Sequence, residues 1–362
     1  MTTLTPQPGI MEIALYQSGQ SALAGVRDVL KLSANENPLG APPAAVAALA
    51  GAAGALHRYP STDHAALRAT IGEVWGLDPD RVICGVGSDE VLQFVTQAFA
   101  GPGDEIIHTA HGFSMYPILT HMAGATPVQV AEADRVVDVD AILAAVTGRT
   151  RVVLVANPAN PTGTMVPEGD LLRLADELPK HVILVIDGAY TEYADGYDGG
   201  ASLAGTRPNV LMTRTFSKIY GLGGLRIGWG YGPAAMIDVM TRIRQPFNLS
   251  VVQLAAAEAA VRDRDWVRQC AALNAEQRTR LTGAVRQLGL ACDDSHANFV
   301  LARAATVAEA DALEAAFNAN GILIRRVGGY GFAEGLRITV GDADQTGRVI
   351  DVITRWREGA VA

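Results

Sequence analysis

The chain has 362 residues, 49% of them hydrophobic and 19% charged, with a net charge of −9 and a pI near 5.3. No stretch approaches the uninterrupted apolar length a bilayer span needs, and an acidic chain lacks the surplus of Lys and Arg that a nucleic-acid partner requires. The length predicts one large α/β domain with a smaller companion.

The first residues, Met1 to Gly9, carry no basic region followed by an apolar block, so neither a secretory signal nor a transit peptide is expected and the protein is read as cytoplasmic. Up to about Leu49 the chain is extended and rich in Pro and Gly, with Asn35-Glu36-Asn37-Pro38-Leu39-Gly40 forming a turn. Seven apolar runs then alternate with helical patterns: Arg81 to Val86, Glu105 to Thr109, Thr126 to Val130, Val152 to Ala156, Val182 to Asp187, Val210 to Arg214 and Arg226 to Tyr231. Their Val/Ile/Leu content is nearly continuous, as in strands of a mostly parallel sheet covered on both faces. Asp89 to Ala100 and Glu168 to Leu178 are amphipathic helices between them. After Pro246 come long Ala/Arg/Glu helices, then apolar runs at Ala297 to Ala302, Ile322 to Arg326 and Leu336 to Val340, which predict a second, α+β domain. The expected division is an N-terminal arm over 1–30, a large domain over 31–245 and a small domain over 246–362. Cys84, Cys270 and Cys292 stand far apart with no metal or CxxC spacing and are read as packing residues. His108 and His111 suggest a metal pair only if further ligands stand near, and no metal is expected.

Ligands of open α/β sheets sit at the carboxyl ends of the strands, so the residues just past each run are the candidates. Gly85-Val86-Gly87-Ser88-Asp89-Glu90 ends a strand in glycines and opens a helix, which is either a phosphate-holding terminus or an ordinary helix start capped by Ser88. Glu90 stands where the stricter dinucleotide fingerprint has glycine, which argues against NAD. Asn157-Pro158-Ala159-Asn160-Pro161-Thr162-Gly163 fixes a rigid turn, from which Asn160 can donate to a ligand oxygen. Asp187 ends an apolar run, so its charge needs a partner: an arginine, a helix terminus or a protonated heterocyclic nitrogen. Lys218 is one of only three lysines, with Lys31 and Lys180. It follows Thr213-Arg214-Thr215-Phe216-Ser217 and precedes Gly221, Gly223, Gly224 and Arg226. An amine in that setting is a candidate for Schiff-base chemistry, and the Arg226 fork suits a phosphate.

Taken in this order and spacing, these motifs closely resemble the fold type I pyridoxal-phosphate aminotransferases, and most of all the histidinol-phosphate aminotransferase family. Ser33 to Gly40, Arg58-Tyr59-Pro60, Gly87 to Glu90, Asn157 to Gly163, Asp187 to Tyr190, Ser217 to Arg226 and Leu336 to Gly341 carry the resemblance over nearly the whole chain. It implies a mostly parallel seven-stranded sheet in the large domain with a smaller α+β domain. It implies that Lys218 forms the internal aldimine with pyridoxal 5'-phosphate and carries the proton from Cα, that Asp187 holds the ring nitrogen, and that Asn160 and Tyr190 reach the ring oxygen. Phe113 matches the ring-stacking aromatic, while Ser88, Asp89, Thr215, Ser217 and Arg226 match a phosphate cup. Tyr59 matches a tyrosine lent by the neighbouring subunit, so a homodimer with shared sites is implied. Arg337 matches the substrate-anion fork, and Arg325, Tyr16 and Asn35 fall where relatives contact substrate. The implied reaction converts L-histidinol phosphate and 2-oxoglutarate to imidazole-acetol phosphate and L-glutamate in two ping-pong steps, part of histidine biosynthesis. An aromatic amino-acid aminotransferase on the same scaffold is the alternative, and a threonine-phosphate decarboxylase a further one. A ligand-sensing regulator would call for a fused DNA-binding helix-turn-helix and a basic surface, which the sequence does not show.

Overall fold

A computed structural model of the chain describes residues 4–13, 22–23 and 28–359. All seven predicted runs enter one sheet, in the order Val82–Gly85, Gly228–Tyr231, Val210–Thr215, Ile183–Asp187, Thr150–Ala156, Glu105–Thr109 and Thr126–Val130. Only Gly228–Tyr231 runs antiparallel to its neighbours. Both faces are covered. Val152 and Leu154 pack into one apolar cluster with Val91, Val95 and Tyr116, whereas Val153 and Val155 pack into another with Leu171, Leu174 and Trp229. That two-sided burial explains why the strands read as continuous apolar runs.

A four-stranded antiparallel sheet, ordered Ala291–Cys292, Phe299–Arg303, Gly335–Thr339 and Arg325–Arg326, forms the second layer under the helices Val307–Ala319 and Ala343–Arg357. The predicted strand over 322–326 is split. Ile322–Leu323 pairs in parallel with Leu30–Lys31, and only Arg325–Arg326 joins the four-stranded sheet.

Packing runs across the expected boundaries at 30/31 and 245/246. Helix Val251–Arg262 packs on Pro43–Ala52 and Ala65–Trp75, and Leu249, Leu254, Ala257, Val261, Val267 and Cys270 belong to the core of the seven-stranded sheet. Leu32 belongs instead to the core of the second layer. The 24-residue helix Arg264–Gln287 gives Val267 and Cys270 to the first core and Leu281 and Val285 to the second, so the division between cores falls inside it. The cysteines are three separate buried thiols. Among the described residues, no helix is long and apolar enough to cross a membrane.

Candidate active site

Strand alternation sets the site. Val185 and Leu211 face the cluster that holds Val91 and Tyr116, so Asp187, Thr213 and Thr215, each an even number of residues further on, project to that same side at the carboxyl edge of the sheet. Asp187 is 6% exposed. Its Oδ2 accepts from the Tyr116 hydroxyl at 3.0 Å and its Oδ1 from Thr213 Oγ1 at 3.2 Å. Among the described residues, no Lys, Arg or His lies within ion-pair distance of it. Burial therefore pushes this carboxyl up to about 6, with the two hydroxyls pulling in the opposite direction.

The helix Gly87–Phe99 starts two residues earlier than a Ser88 cap predicts. Val86 is its N-cap and no side chain caps it from that position. Instead Glu90 reaches back to accept the Val86 N–H at 2.7 Å, leaving the N–H groups of the first turn to a ligand. Gly87 has φ +80°, and a Cβ there would stand 2.7 Å from Arg226 Nη2, so only glycine leaves room for the guanidinium beside this turn. Arg226 donates to Ser217 Oγ at 3.0 Å and to Asp89 Oδ2 at 3.0 Å, and the Ser217 N–H donates to Thr215 Oγ1 at 3.1 Å. The hydroxyls, the guanidinium and the helix terminus together make an anion cup.

Lys218 Nζ donates to the Ala34 carbonyl at 3.4 Å. Burial, and then the field of Arg337, lowers its pKa to about 8, so a neutral amine is accessible near neutral pH. Arg337 donates through Nη1 to Asn160 Oδ1 at 2.6 Å and through Nη2 to the Ser33 carbonyl at 2.9 Å. With its oxygen engaged, Asn160 offers Nδ2 as the donor to a ligand. Burial raises the Tyr190 phenol, so its hydroxyl stays protonated and can also donate. Asn35, expected as a substrate contact, lines the cavity with its amide hydrogen-bonded within the protein. It is 1% exposed, its Nδ2 donates to the Tyr190 hydroxyl at 2.9 Å, and its Oδ1 accepts from Thr339 at 3.3 Å. Its amide is committed to holding Tyr190.

One cavity of about 290 Å³ is lined by Lys218, Asp187, Tyr190, Ser88, Asp89, Phe113, Asn160, Thr215, Ser217, Arg226, Arg337, Arg325 and Asn35. Tyr59 stands apart, 83% exposed, with its ring centroid 4.6 Å from that of Phe247. Tyr16 lies outside the described residues. Sequence reasoning missed Tyr116 and Thr213 as holders of Asp187, and Lys31 and Tyr330 in the lining. Tyr116 follows Phe113 by three residues, but Phe113 lies outside the helix Met115–Met122, and no local pattern signals the contact of Tyr116 with Asp187. His108 Nδ1 lies 3.0 Å from the Thr109 carbonyl and His111 Nδ1 2.6 Å from that of Tyr330, and among the described residues no group of three metal-ligating side chains comes together.

A depressed amine, a buried acid without a cation and an anion cup in one cavity are suited to an aromatic aldehyde phosphate with a basic ring nitrogen. The sheet is that of the fold type I transferases. The model of the class I and II aminotransferases matches residues 27–353. A histidinol-phosphate aminotransferase from Ruegeria pomeroyi is 64% identical over 358 residues, 99% of each chain, and one from Jannaschia is 60% identical over 351 residues, 97% of this chain and 98% of the other. The crystal structure of histidinol-phosphate aminotransferase from Sinorhizobium meliloti in complex with pyridoxal-5'-phosphate superposes with a TM-score of 0.84 at 29% identity, over 91% of this chain and 92% of that one. The chain belongs to the class I and II aminotransferases and, within them, to the histidinol-phosphate aminotransferase family.

Proposed function

We propose that the protein is a pyridoxal-phosphate-dependent aminotransferase that converts L-histidinol phosphate and 2-oxoglutarate to imidazole-acetol phosphate and L-glutamate. The observation that carries this reading is Asp187, a buried carboxylate without a cationic partner among the described residues, lining the same cavity as the Lys218 amine. Asp187 would hold the cofactor's ring nitrogen in its protonated form, which would supply the missing charge. The first-turn N–H groups of Ser88 and Asp89, the hydroxyls of Thr215 and Ser217, and Arg226 would hold the phosphate. Phe113 would cover a ring face, and Asn160 Nδ2 and the Tyr190 hydroxyl would donate to the ring oxygen. When bound, pyridoxal phosphate supplies an electron sink for the pair left behind as the donor's Cα–H bond breaks.

Lys218 is the covalent anchor and, once displaced by the donor amine, the base that takes the Cα proton and returns it elsewhere. Its pKa of about 8 suits both directions of transfer. Arg337, fixed by Asn160 and the Ser33 carbonyl, presents a planar fork able to bind a carboxylate in one half-reaction and a phosphate in the other. The exposed Tyr59, resting on Phe247 outside its own cavity, supports a homodimer in which it completes the partner's phosphate cup. As an enzyme of histidine biosynthesis, it is read as cytoplasmic.

Borohydride reduction of the yellow holoenzyme should fix the cofactor to the Lys218 peptide, and Lys218→Ala should abolish the attachment. Label on Lys31 or Lys180 would defeat the assignment. Comparing kcat/KM for histidinol phosphate and phenylalanine tests the substrate, and a preference for phenylalanine would turn the proposal to an aromatic aminotransferase.

A further inference from the structure

Lys31 has no part in the chemistry above, yet it lines the cavity. Three adjacent strand segments of the second layer meet there. Leu32 donates its N–H to the Leu323 carbonyl at 2.8 Å, and its carbonyl accepts from the Thr339 N–H at 3.0 Å. The segment carrying Lys31 is thus fixed between Ile322–Leu323, two residues before Arg325, and the end of the Gly335–Thr339 strand that bears Arg337. Arg325 and Arg337 are themselves direct cross-strand neighbours. Lys31, Arg325 and Arg337 therefore form a cationic wall on one rigid platform.

The charge inventory of the cavity separates this wall from the rest. Its lining holds five basic side chains, Lys31, Lys218, Arg226, Arg325 and Arg337, and two carboxylates, Asp89 and Asp187. Asp89 is ion-paired with Arg226 in the anion cup, and Asp187 lies under the ring site. Neither carboxylate belongs to the second-layer wall. A single α-carboxylate needs one arginine fork, whereas a phosphate monoester carries close to two charges and three acceptor oxygens. Glu36 holds the Lys31 ammonium from outside the lining, Nζ to Oε1 2.9 Å, with both side chains only partly exposed at 34% and 56%. That contact restrains a long flexible side chain and lowers the entropy cost of presenting its charge to a ligand.

We infer that Lys31 is a specificity-determining substrate contact that binds the phosphate of the amino donor together with the arginine wall, with Glu36 orienting its ammonium; the inference rests on the phosphorylated donor proposed above. Lys31 thereby favours phosphorylated over unphosphorylated donors, and it contributes little to glutamate, whose charges the arginines meet.

The test uses holoenzyme and three donors: histidinol phosphate, histidinol and glutamate. Lys31→Met keeps the apolar stem and removes the charge. It should raise KM for histidinol phosphate, and the Kd from absorbance titration in single turnovers, by about tenfold or more, the size expected for one charge-assisted contact. For histidinol and glutamate the change should stay within about twofold, and Lys31→Arg should recover most of the loss. The double variant Lys31→Met, Glu36→Gln removes repulsion by a bare Glu36 carboxylate, and its KM for histidinol phosphate should remain raised. An equal loss for all three donors, no loss for histidinol phosphate, or full recovery in the double variant would each overturn the inference. A wild-type enzyme that turns over glutamate but not histidinol phosphate would remove the proposed substrate and the role of Lys31 with it. A wild type that accepts histidinol phosphate and a Lys31→Met enzyme that matches it would remove the role of Lys31 alone.

Discussion

Asp187 works against the stability of the cofactor-free protein. Its folded pKa of about 6 lies above the unfolded value of 3.8, so between these values the folded state binds the extra proton. The stability this gives is present below about pH 4 and is lost as pH rises through 6. At pH 7.5 the folded protein carries a buried anion held by two hydroxyls and the Ala189 backbone N–H, with no cation beside it among the described residues. Asp187→Asn should therefore raise the melting temperature of the apo protein at pH 7.5, by about 1–3 °C, and remove the decline between pH 4 and 6, while transaminase activity collapses. One hydroxyl can turn to accept from the new amide nitrogen while the other still donates to the amide oxygen, so packing is kept. Calorimetry across pH on both apo proteins decides it, and a less stable variant at pH 7.5 would show that the carboxylate is not a burden there. The need of Asp187 for a cation was legible from its place after Val182 to Ile186. The hydroxyl of Tyr116 was not, because that contact depends on a helix folding back over the sheet, across 71 residues of chain.

At the scale of elements, the anion cup depends on two backbones touching. A Cβ on Gly228 would come 2.1 Å from the Ser88 nitrogen and 2.4 Å from the Gly87 carbonyl carbon, so strand Gly228–Tyr231 and the start of helix Gly87–Phe99 meet main chain to main chain. No rotamer change relieves such a contact. Gly228→Ala should push the helix terminus off the strand at a cost of roughly 1–3 kcal/mol, read as a cofactor Kd at least about fivefold weaker by dialysis and absorbance. Unchanged cofactor affinity would mean that the cup tolerates the shift. The seven strands were legible in the sequence because burial on both faces leaves little room for polar residues within them. Leu30–Lys31 was not, since two residues carry no periodicity and pair only with a segment nearly three hundred residues away. The packing of helix Val251–Arg262, beyond the expected 245/246 boundary, was not legible for a related reason. Its contact with Pro43–Ala52 joins segments some two hundred residues apart, which no local pattern announces.

For the molecule as a whole, the proposed shared site makes a prediction no single chain can satisfy. If Tyr59 completes the partner's cup, Lys218→Ala homodimers have no amine, and Tyr59→Ala homodimers should hold cofactor about tenfold more weakly. A hybrid of the two variants would contain one cavity with both groups intact. Mixing or co-expressing them should restore wild-type cofactor affinity and activity to about one site per hybrid. If hybrids form without gaining such a site, Tyr59 serves its own chain.

Ser33 and Ala34 give the cavity a further property. The two successive carbonyls receive different cations, Arg337 on the first and Lys218 on the second. This stretch follows Leu32, which is built into the second core, whereas Lys218 follows the last strand residues of the first. A swing of one core against the other would draw the Ala34 oxygen away from the amine while leaving the guanidinium on its rest. Opening the cleft and unmooring the nucleophile would then be a single mechanical event, with the anion fork travelling alongside its own perch.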